Sequence, residues 1–319
     1  MNALFKFFKR VRKSGFQDAI RYSIIKWLRF DKVEEKVDTL YYFQNRYNDI
    51  TKLPPTADPD LRILQKCDAV FLAIFDKLCQ KHKLTYWLDY GTLLGAVRHG
   101  GVIPWDDDTD IAMPRDDYDR LYDALKDDLD KFGIQFDKKT DIPMMMVGLG
   151  YNHYSTGIWM DIYPVDECFA DAKRNEAKKK ITRMAASYRK FYHTHKKNDE
   201  NDLVAYKKEL MNSLNARDEK YLIHPMEAGD PITVNRVDEI YPLKRMKFEE
   251  FELNVPQNCD AYLKEMYGKS YMNFPTSGVE HHGGDGTGRP ALKEWAKING
   301  TNMEDIYEKL IAYYRSYEC

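Results

Sequence analysis

The sequence is poor in cysteine patterning. Its five cysteines, Cys67, Cys79, Cys168, Cys259 and Cys319, are odd in number and scattered, with no C-x-x-C pair. That excludes a disulfide framework and a cysteine zinc site, and it favours a reducing compartment. No run of about 18 or more apolar residues is present, so no transmembrane helix is expected. The uninterrupted apolar core of about 7–15 residues that a signal peptide needs is missing as well. Charge is nearly balanced: 49 Lys+Arg against 51 Asp+Glu leave a net of -2, which argues against a dedicated nucleic-acid binder. There are no internal repeats and no low-complexity tract. The 319 residues are 43% hydrophobic, enough to build a sizeable core and to exclude wholesale disorder. The 23 tyrosines suit a sugar- or base-binding surface, but ordinary burial accounts for them equally. The sequon Asn299-Gly300-Thr301 carries weight only in a secreted protein and is read as chance.

The N-terminus departs from this balance. Residues 1–30 hold eight Lys/Arg and one acid, Asp18, interleaved with Phe, Ile, Trp and Leu. This pattern fits a basic amphipathic helix lying on an anionic membrane surface, and equally a helix docked on the main domain. TKLPPTADPD (51–60) reads as a linker. The helix expected after it has Leu61, Leu64, Val70, Phe71, Ile74, Phe75 and Leu78 at helical spacing, with Asp58 or Asp60 as its cap. LTYWLDYG reads as a strand, residues 92–98 as a short helix stopped by His99-Gly100-Gly101, and DTDIAMP as a second strand. A helix from DDYDRL follows, with acids in its first turn, then a third strand over 157–167. Residues 171–221 read as charged helix, KFEEFELNVP as a hairpin, DAYLKEMYG as a helix ended by Gly268, and 290–319 as a C-terminal helix. The fold class is α/β (α+β), a small mixed sheet flanked by helices with additional N- and C-terminal helices. The expected organisation is an N-terminal region over 1–60, a main domain over 61–289 and the C-terminal helix over 290–319.

The segment WDDDTDIAMP puts four carboxylates, Asp106, Asp107, Asp108 and Asp110, into five positions and then enters an apolar strand. Like charges this close need a cation among them. On a strand, Asp108 and Asp110 share a face about 7 Å apart, while Thr109, Ile111 and Met113 face the core. Such oxygen pairs suit Mg²⁺ or Mn²⁺. A calcium loop starting at Asp106 fails at its sixth and last positions, where Ile111 and Asp117 replace Gly and Glu, and Pro114 interrupts it. A solvated acidic turn is a further alternative. Asp161 is an acid in the apolar run WMDIY, so it needs either a metal or a salt bridge. Gly91-Thr92 at a helix start favours a phosphate, with Arg98 at the far end of that helix, although a plain N-cap and an exposed Arg read the same way. The combination is the layout of a nucleotidyltransferase-type site.

YWLDYGTLLGAVRHGGVIPWDDDTDIAMPRDDYDRL closely resembles the signature of the LicD/fukutin-related phosphotransferase family. LQKCDAVFLAIFDKLCQKHKL, WMDIYPVDE, the block from Ile240 to Pro275 and the pair His281-His282 extend the resemblance over roughly residues 61–282. It implies a nucleotidyltransferase-like fold, with 61–289 as the catalytic domain. It implies metal-dependent transfer of a phospho-alcohol, often phosphocholine, from a CDP-alcohol to a sugar hydroxyl of a glycan or lipid-linked glycan, with CMP leaving. By position, Asp108, Asp110 and Asp161 would hold Mg²⁺ or Mn²⁺, Gly91 and Thr92 would face the phosphates, and Arg98 would orient one. Trp105 would stack on cytosine or choline, or pack as core. His281 and His282 would close the site, or simply end the domain. No nucleic-acid partner is expected. The expected location is cytoplasmic, peripheral on the inner face of the plasma membrane. A nucleotidyltransferase using an NTP and an inactive membrane-associated scaffold are the alternatives.

Overall fold

The structure is a computed structural model that describes residues 55–317, except 57, 131–133, 139–144, 150–156, 171–172, 196–199, 214–218, 227–231 and 274–287. Apart from Asn273, all of these belong to one compact unit, residues 53–272 and 280–319. The basic N-terminal segment and the pair His281-His282 lie outside the described residues.

The chain enters on α1 (Pro59–His82). Asp58 is its N-cap and accepts from the backbone N–H groups of Asp60 and Leu61, Pro59 opens the first turn, and Lys83 ends the helix in the left-handed region. The apolar stripe expected from the sequence is buried, but so are Gln65, Asp68 and Asp76. The reason is that α1 is a central helix. It packs on the sheet side on one face and is covered elsewhere by the C-terminal helices.

Seven strands form one mixed sheet: β1 (Trp87–Leu88), β2 (Thr109–Pro114), β3 (Ile134–Lys138), β4 (Met145–Leu149), β5 (Trp159–Ala170), β6 (Glu219–Ile223) and β7 (Val234–Arg236). The order along the main path is β1-β2-β5-β4-β3, with β6 on the second half of β5 and β7 on β6. β2 and β5 pair in parallel, with Thr109 opposite Met160 and Pro114 opposite Val165. The other pairs are antiparallel. A parallel pair needs a long crossover, and here it runs through α3 (Arg115–Asp130), β3 and β4. α3 buries Tyr118, Leu121, Leu125 and Leu129, an i, i+3, i+7, i+11 stripe.

The remaining helices are α2 (Tyr90–His99), α4 (Arg174–His195), α5 (Glu200–Ser213), α6 (Val237–Ile240), α7 (Cys259–Tyr267), α8 (Gly288–Ile298) and α9 (Met303–Ser316). The hairpin β8 (Lys244–Phe248) and β9 (Phe251–Val255) stands as a separate two-stranded sheet. One apolar core gathers α1, the β2–β5 region, the hairpin and α9, while a second joins α4 to β6, β7 and the end of β5.

The mixed sheet with flanking helices agrees with the expected fold class. Several details differ. The first strand shrinks to Trp87–Leu88, and the helix after it begins at Tyr90 rather than at Thr92. The expected helix over 171–221 ends at Ser213, and its last part is strand β6. The C-terminal helix is two helices, because Gly300 turns with φ +64 and Asn302 caps α9 by accepting from Asp305 N. Strands β3, β4, β6 and β7 are too short and irregular in pattern to announce themselves. They are strands because a neighbour pairs them.

Candidate active site and metal-binding acids

The site forms where the start of α2 meets β2. Asp89 is the N-cap of α2 but makes no side-chain cap bond. Its backbone N–H instead donates to the carbonyl of Asp110 at 3.0 Å. From the next turn, the Thr92 hydroxyl accepts from the backbone N–H of Asp110 at 2.7 Å. The backbone of Asp110 is therefore held on both sides by α2. The sequence reading gave the Thr92 hydroxyl to a phosphate. In the structure this hydroxyl accepts from the strand in a position only 3% exposed, which leaves its own O–H as a donor.

Gly91 lies between these two contacts. A Cβ there would sit 2.8 Å from Asp106 Oδ2 and 3.9 Å from Asp110 Oδ2. The close approach that glycine permits is thus to carboxylates, and Asp106 reaches the same spot as Asp110. Gly95 serves packing: a Cβ added there would collide with the Gly101 carbonyl, so α2 lies tight against the turn that leads to the acidic loop.

Across the sheet, Asp110 stands directly opposite Asp161 in the parallel register. Residues in register on neighbouring strands share a face. Burial, with the carboxylates of Asp108, Asp161, Asp106 and Asp89, pushes Asp110 well above the usual carboxylate range. The structure also gathers a second trio. Among the described residues, Asp106, Asp107 and Asp108 are the acids whose ligand oxygens all lie within 4.8 Å of one another. Asp108 thus belongs to both groupings, and the sequence reading had left Asp106 and Asp107 outside the ligand set. All four loop acids are buried. A pile of buried carboxylates is costly without a compensating cation. An all-oxygen donor set fits a hard divalent ion such as Mg²⁺, so the residues present suit the metal expected from the sequence.

Arg98 is 5% exposed. Its Nη1 donates to the Tyr271 carbonyl at 3.1 Å, and its Nε donates to His99 Nε2 at 3.0 Å. Its guanidinium lies 5.9 Å from the centroid of the Trp105 ring, and His99 meets the same ring edge-on. Burial lowers Arg98 to about 10. Burial and the Arg98 charge lower His99 to about 4, so His99 is the neutral acceptor that Arg98 requires. Asp106 is among the groups acting on Arg98. Trp105 therefore packs beside Arg98 at the head of the acidic loop.

Several residues at this site escaped the sequence reading. Asp89 is fully buried. Its Oδ1 accepts from the Tyr262 hydroxyl at 2.8 Å, and its Oδ2 bonds His224 Nε2 at 2.6 Å. His224 is also hydrogen-bonded to Thr233 through Nδ1. Tyr90 and Tyr163 lie with ring centroids 4.8 Å apart, and both meet His224. Burial, then Asp110 and Asp161, raises Tyr163 far beyond the phenol range. His224 had a signal. It interrupts the apolar run YLIHP, as Asp161 interrupts WMDIY, and the same reasoning applies to both. Tyr262 had none, because α7 reaches Asp89 only through the tertiary fold.

Residues 83–198 match the model of the LicD/FKTN/FKRP nucleotidyltransferase domain. Over that span the chain is similar to LicD-type domains. Its matched span contains Asp89, Gly91, Thr92, the four loop acids and Asp161, and leaves out His224 and Tyr262. The lipopolysaccharide cholinephosphotransferase LicD of Haemophilus influenzae is 54% identical over 53 residues, 17% of this chain and 20% of that protein. An uncharacterized protein of Rickettsia prowazekii is 49% identical over 49 residues, 15% of this chain and 18% of that one. The ribitol 5-phosphate transferase FKRP of Homo sapiens is 56% identical over 32 residues, 10% of this chain and 6% of that protein. The similarity thus spans a fifth or less of the length of these curated relatives.

Proposed function

We propose that this chain transfers a phospho-alcohol, phosphocholine foremost, from a CDP-alcohol to a sugar hydroxyl of a glycan, releasing CMP. The observation that carries the proposal is the opposition of Asp110 and Asp161 across β2 and β5, with Asp106 and Asp108 beside them, inside the span similar to LicD-type domains. Two relatives similar over a short stretch bear the names of a cholinephosphotransferase and a ribitol 5-phosphate transferase, both of which move a phospho-alcohol.

Asp108, Asp110 and Asp161 would hold a divalent metal of the Mg²⁺ or Mn²⁺ type. When bound, the metal supplies charge neutralisation for the diphosphate and the departing CMP. The chain's own residues do the rest. Thr92 and the Asp89 backbone fix Asp110 on its strand. Gly91 keeps its surface clear so that Asp106 and Asp110 stand side by side. Asp161 would accept the proton of the attacking hydroxyl. Arg98, held by Tyr271 and His99, supplies a fixed positive charge beside Asp106 for a phosphate oxygen, and Trp105 offers an aromatic face to a base or a quaternary ammonium. Preorganised charge of this kind is the main source of catalysis in phosphoryl transfer.

The basic segment 1–30 would bind the anionic inner face of the plasma membrane and present the domain to lipid-linked glycans. No described helix is long and apolar enough to cross a membrane. Deleting residues 1–30 should abolish co-sedimentation with anionic vesicles, and unchanged pelleting would remove this part of the proposal.

The deciding experiment is CMP release from a panel of CDP-alcohols with Mg²⁺ or Mn²⁺, in wild type and Asp110→Asn. Metal-dependent CMP from one donor, lost in the variant, supports the reading and names the alcohol. Because the matched domain is described as a nucleotidyltransferase, the same assay includes NTPs. Pyrophosphate from an NTP without CMP from any CDP-alcohol would replace the proposal with nucleotidyl transfer.

A further inference from the structure

Helix α1 meets the acidic loop through two polar side chains. Gln65 donates through Nε2 to the carbonyls of Ile103 at 3.2 Å and Asp106 at 2.9 Å, so it grips the backbone of the loop just before the acids. Asp68 follows three residues later, on the same face of the helix, and so faces the same loop. It is 1% exposed. Neither of its carboxylate oxygens meets a hydrogen-bond partner among the described residues.

A bare buried carboxylate is untenable, so a proton or a cation must accompany it. A proton would make Asp68 a donor, whereas a cation would be shared with the carboxylates beside it. Burial first, and then the carboxylates of Asp108, Asp107 and Asp106, hold Asp68 well above the usual carboxylate range, so these three acids are its charged neighbours. These are the same three acids whose ligand oxygens converge within 4.8 Å.

We propose that Asp68 is a ligand of an inner divalent-cation site, shared between helix α1 and the acidic loop through Asp107 and Asp108, and separate from the position at Asp110 and Asp161. The occupant is a hard, oxygen-seeking ion of the Mg²⁺ class, which keeps several waters and reaches part of its carboxylates through them. The inner ion ties α1 to the loop at side-chain level, as Gln65 ties it at the backbone. It thereby fixes Asp108, the acid common to both positions. The inference does not depend on the transfer chemistry, because cation binding needs neither donor nor acceptor.

The test is a count of bound Mn²⁺ by electron paramagnetic resonance on the full chain, stripped with chelator and then titrated. Wild type, Asp68→Asn, Asp107→Asn and Asp110→Asn are compared, with circular dichroism to confirm folding. The expected result is two ions in wild type and one in each variant. Asp68→Asn should also melt no lower than wild type without metal, because a buried charge is gone, yet lose part of the Mg²⁺-induced rise in Tm. If Asp68→Asn fails to fold, Asp107→Asn carries the count alone. Variants at Asp68 and Asp107 that bind as many ions as wild type, with the full Tm rise, overturn the inner site. One ion in wild type, lost in Asp110→Asn and kept in Asp68→Asn, also overturns it and leaves the proposed function standing. One ion lost in Asp68→Asn and kept in Asp110→Asn supports the inner site and removes the outer metal assignment.

Discussion

The hydroxyl of Thr92 accepts a 2.7 Å hydrogen bond from the backbone N–H of Asp110, so a helix side chain fixes the position of a strand carboxylate. Thr92→Val keeps the shape and removes the acceptor. It should cost about 1–3 kcal/mol of stability, the penalty for a buried donor left unsatisfied, and reduce CMP release more than the loss of folded protein explains. Thr92→Ser restores the acceptor and should recover most of both. Urea denaturation and turnover, measured on the same preparations, check the pair.

Gly91→Ala tests the clearance beside the acids. The new Cβ would stand 2.8 Å from Asp106 Oδ2. A side-chain end can swing away, so the fold should survive with a Tm close to wild type. The displaced carboxylate should lower turnover on the order of 100-fold, the typical cost of misplacing a catalytic group by about 1 Å. Full activity with an unchanged Mn²⁺ affinity would mean that Asp106 has no part in the site.

Asp89 and His224 form a buried pair at 2.6 Å, further tied to Tyr262 and Thr233. Removing one partner strands the other. His224→Ala should destabilise the protein by roughly 2–3 kcal/mol. The double variant Asp89→Asn, His224→Ala should cost less than the two single changes added together. A double-mutant cycle by chemical denaturation gives the coupling directly. Additive costs would show that the contact contributes nothing.

Asp166 joins three elements. It accepts from Arg115 Nε at 2.8 Å and from Lys207 Nζ at 2.6 Å. Burial pushes its pKa up, but Lys207 and Arg115 outweigh burial and hold it below the usual carboxylate value. A depressed folded pKa contributes stability above the unfolded value of about 3.9 and loses it as pH falls through the folded one. Asp166→Asn should therefore cost about 3–5 kcal/mol at pH 7, as for a broken buried pair. The gap between variant and wild type should narrow below about pH 4. Denaturation curves at pH 7 and pH 3.5 settle it, and a gap of constant size would rule out the ion pair as its source.

Much of the local structure was legible in the sequence. Asp58 capping α1, Gly268 ending α7, the hairpin around Phe248 and Phe251, and the strand carrying Asp110 all follow from turn chemistry and periodicity, which act over a few residues. The acids of the loop were legible too, because like charges in a row need an explanation. The short strands β6 and β7 were not, since their pairing with β5 and with each other is their reason to be strands.

The sequence by itself determined the donor chemistry: carboxylates before an apolar strand, a glycine at a helix start, and a lone acid in a second strand. Those are local facts, set by residue type and spacing. Only the tertiary structure decided which acids meet. The parallel register sets Asp110 against Asp161, the tight start of α2 turns Asp106 toward Gly91, and the central course of α1 brings Asp68 to the loop. The reason is that burial and charge proximity are properties of packed surfaces, formed by segments far apart in the chain, and no stretch of sequence contains both sides of such a contact.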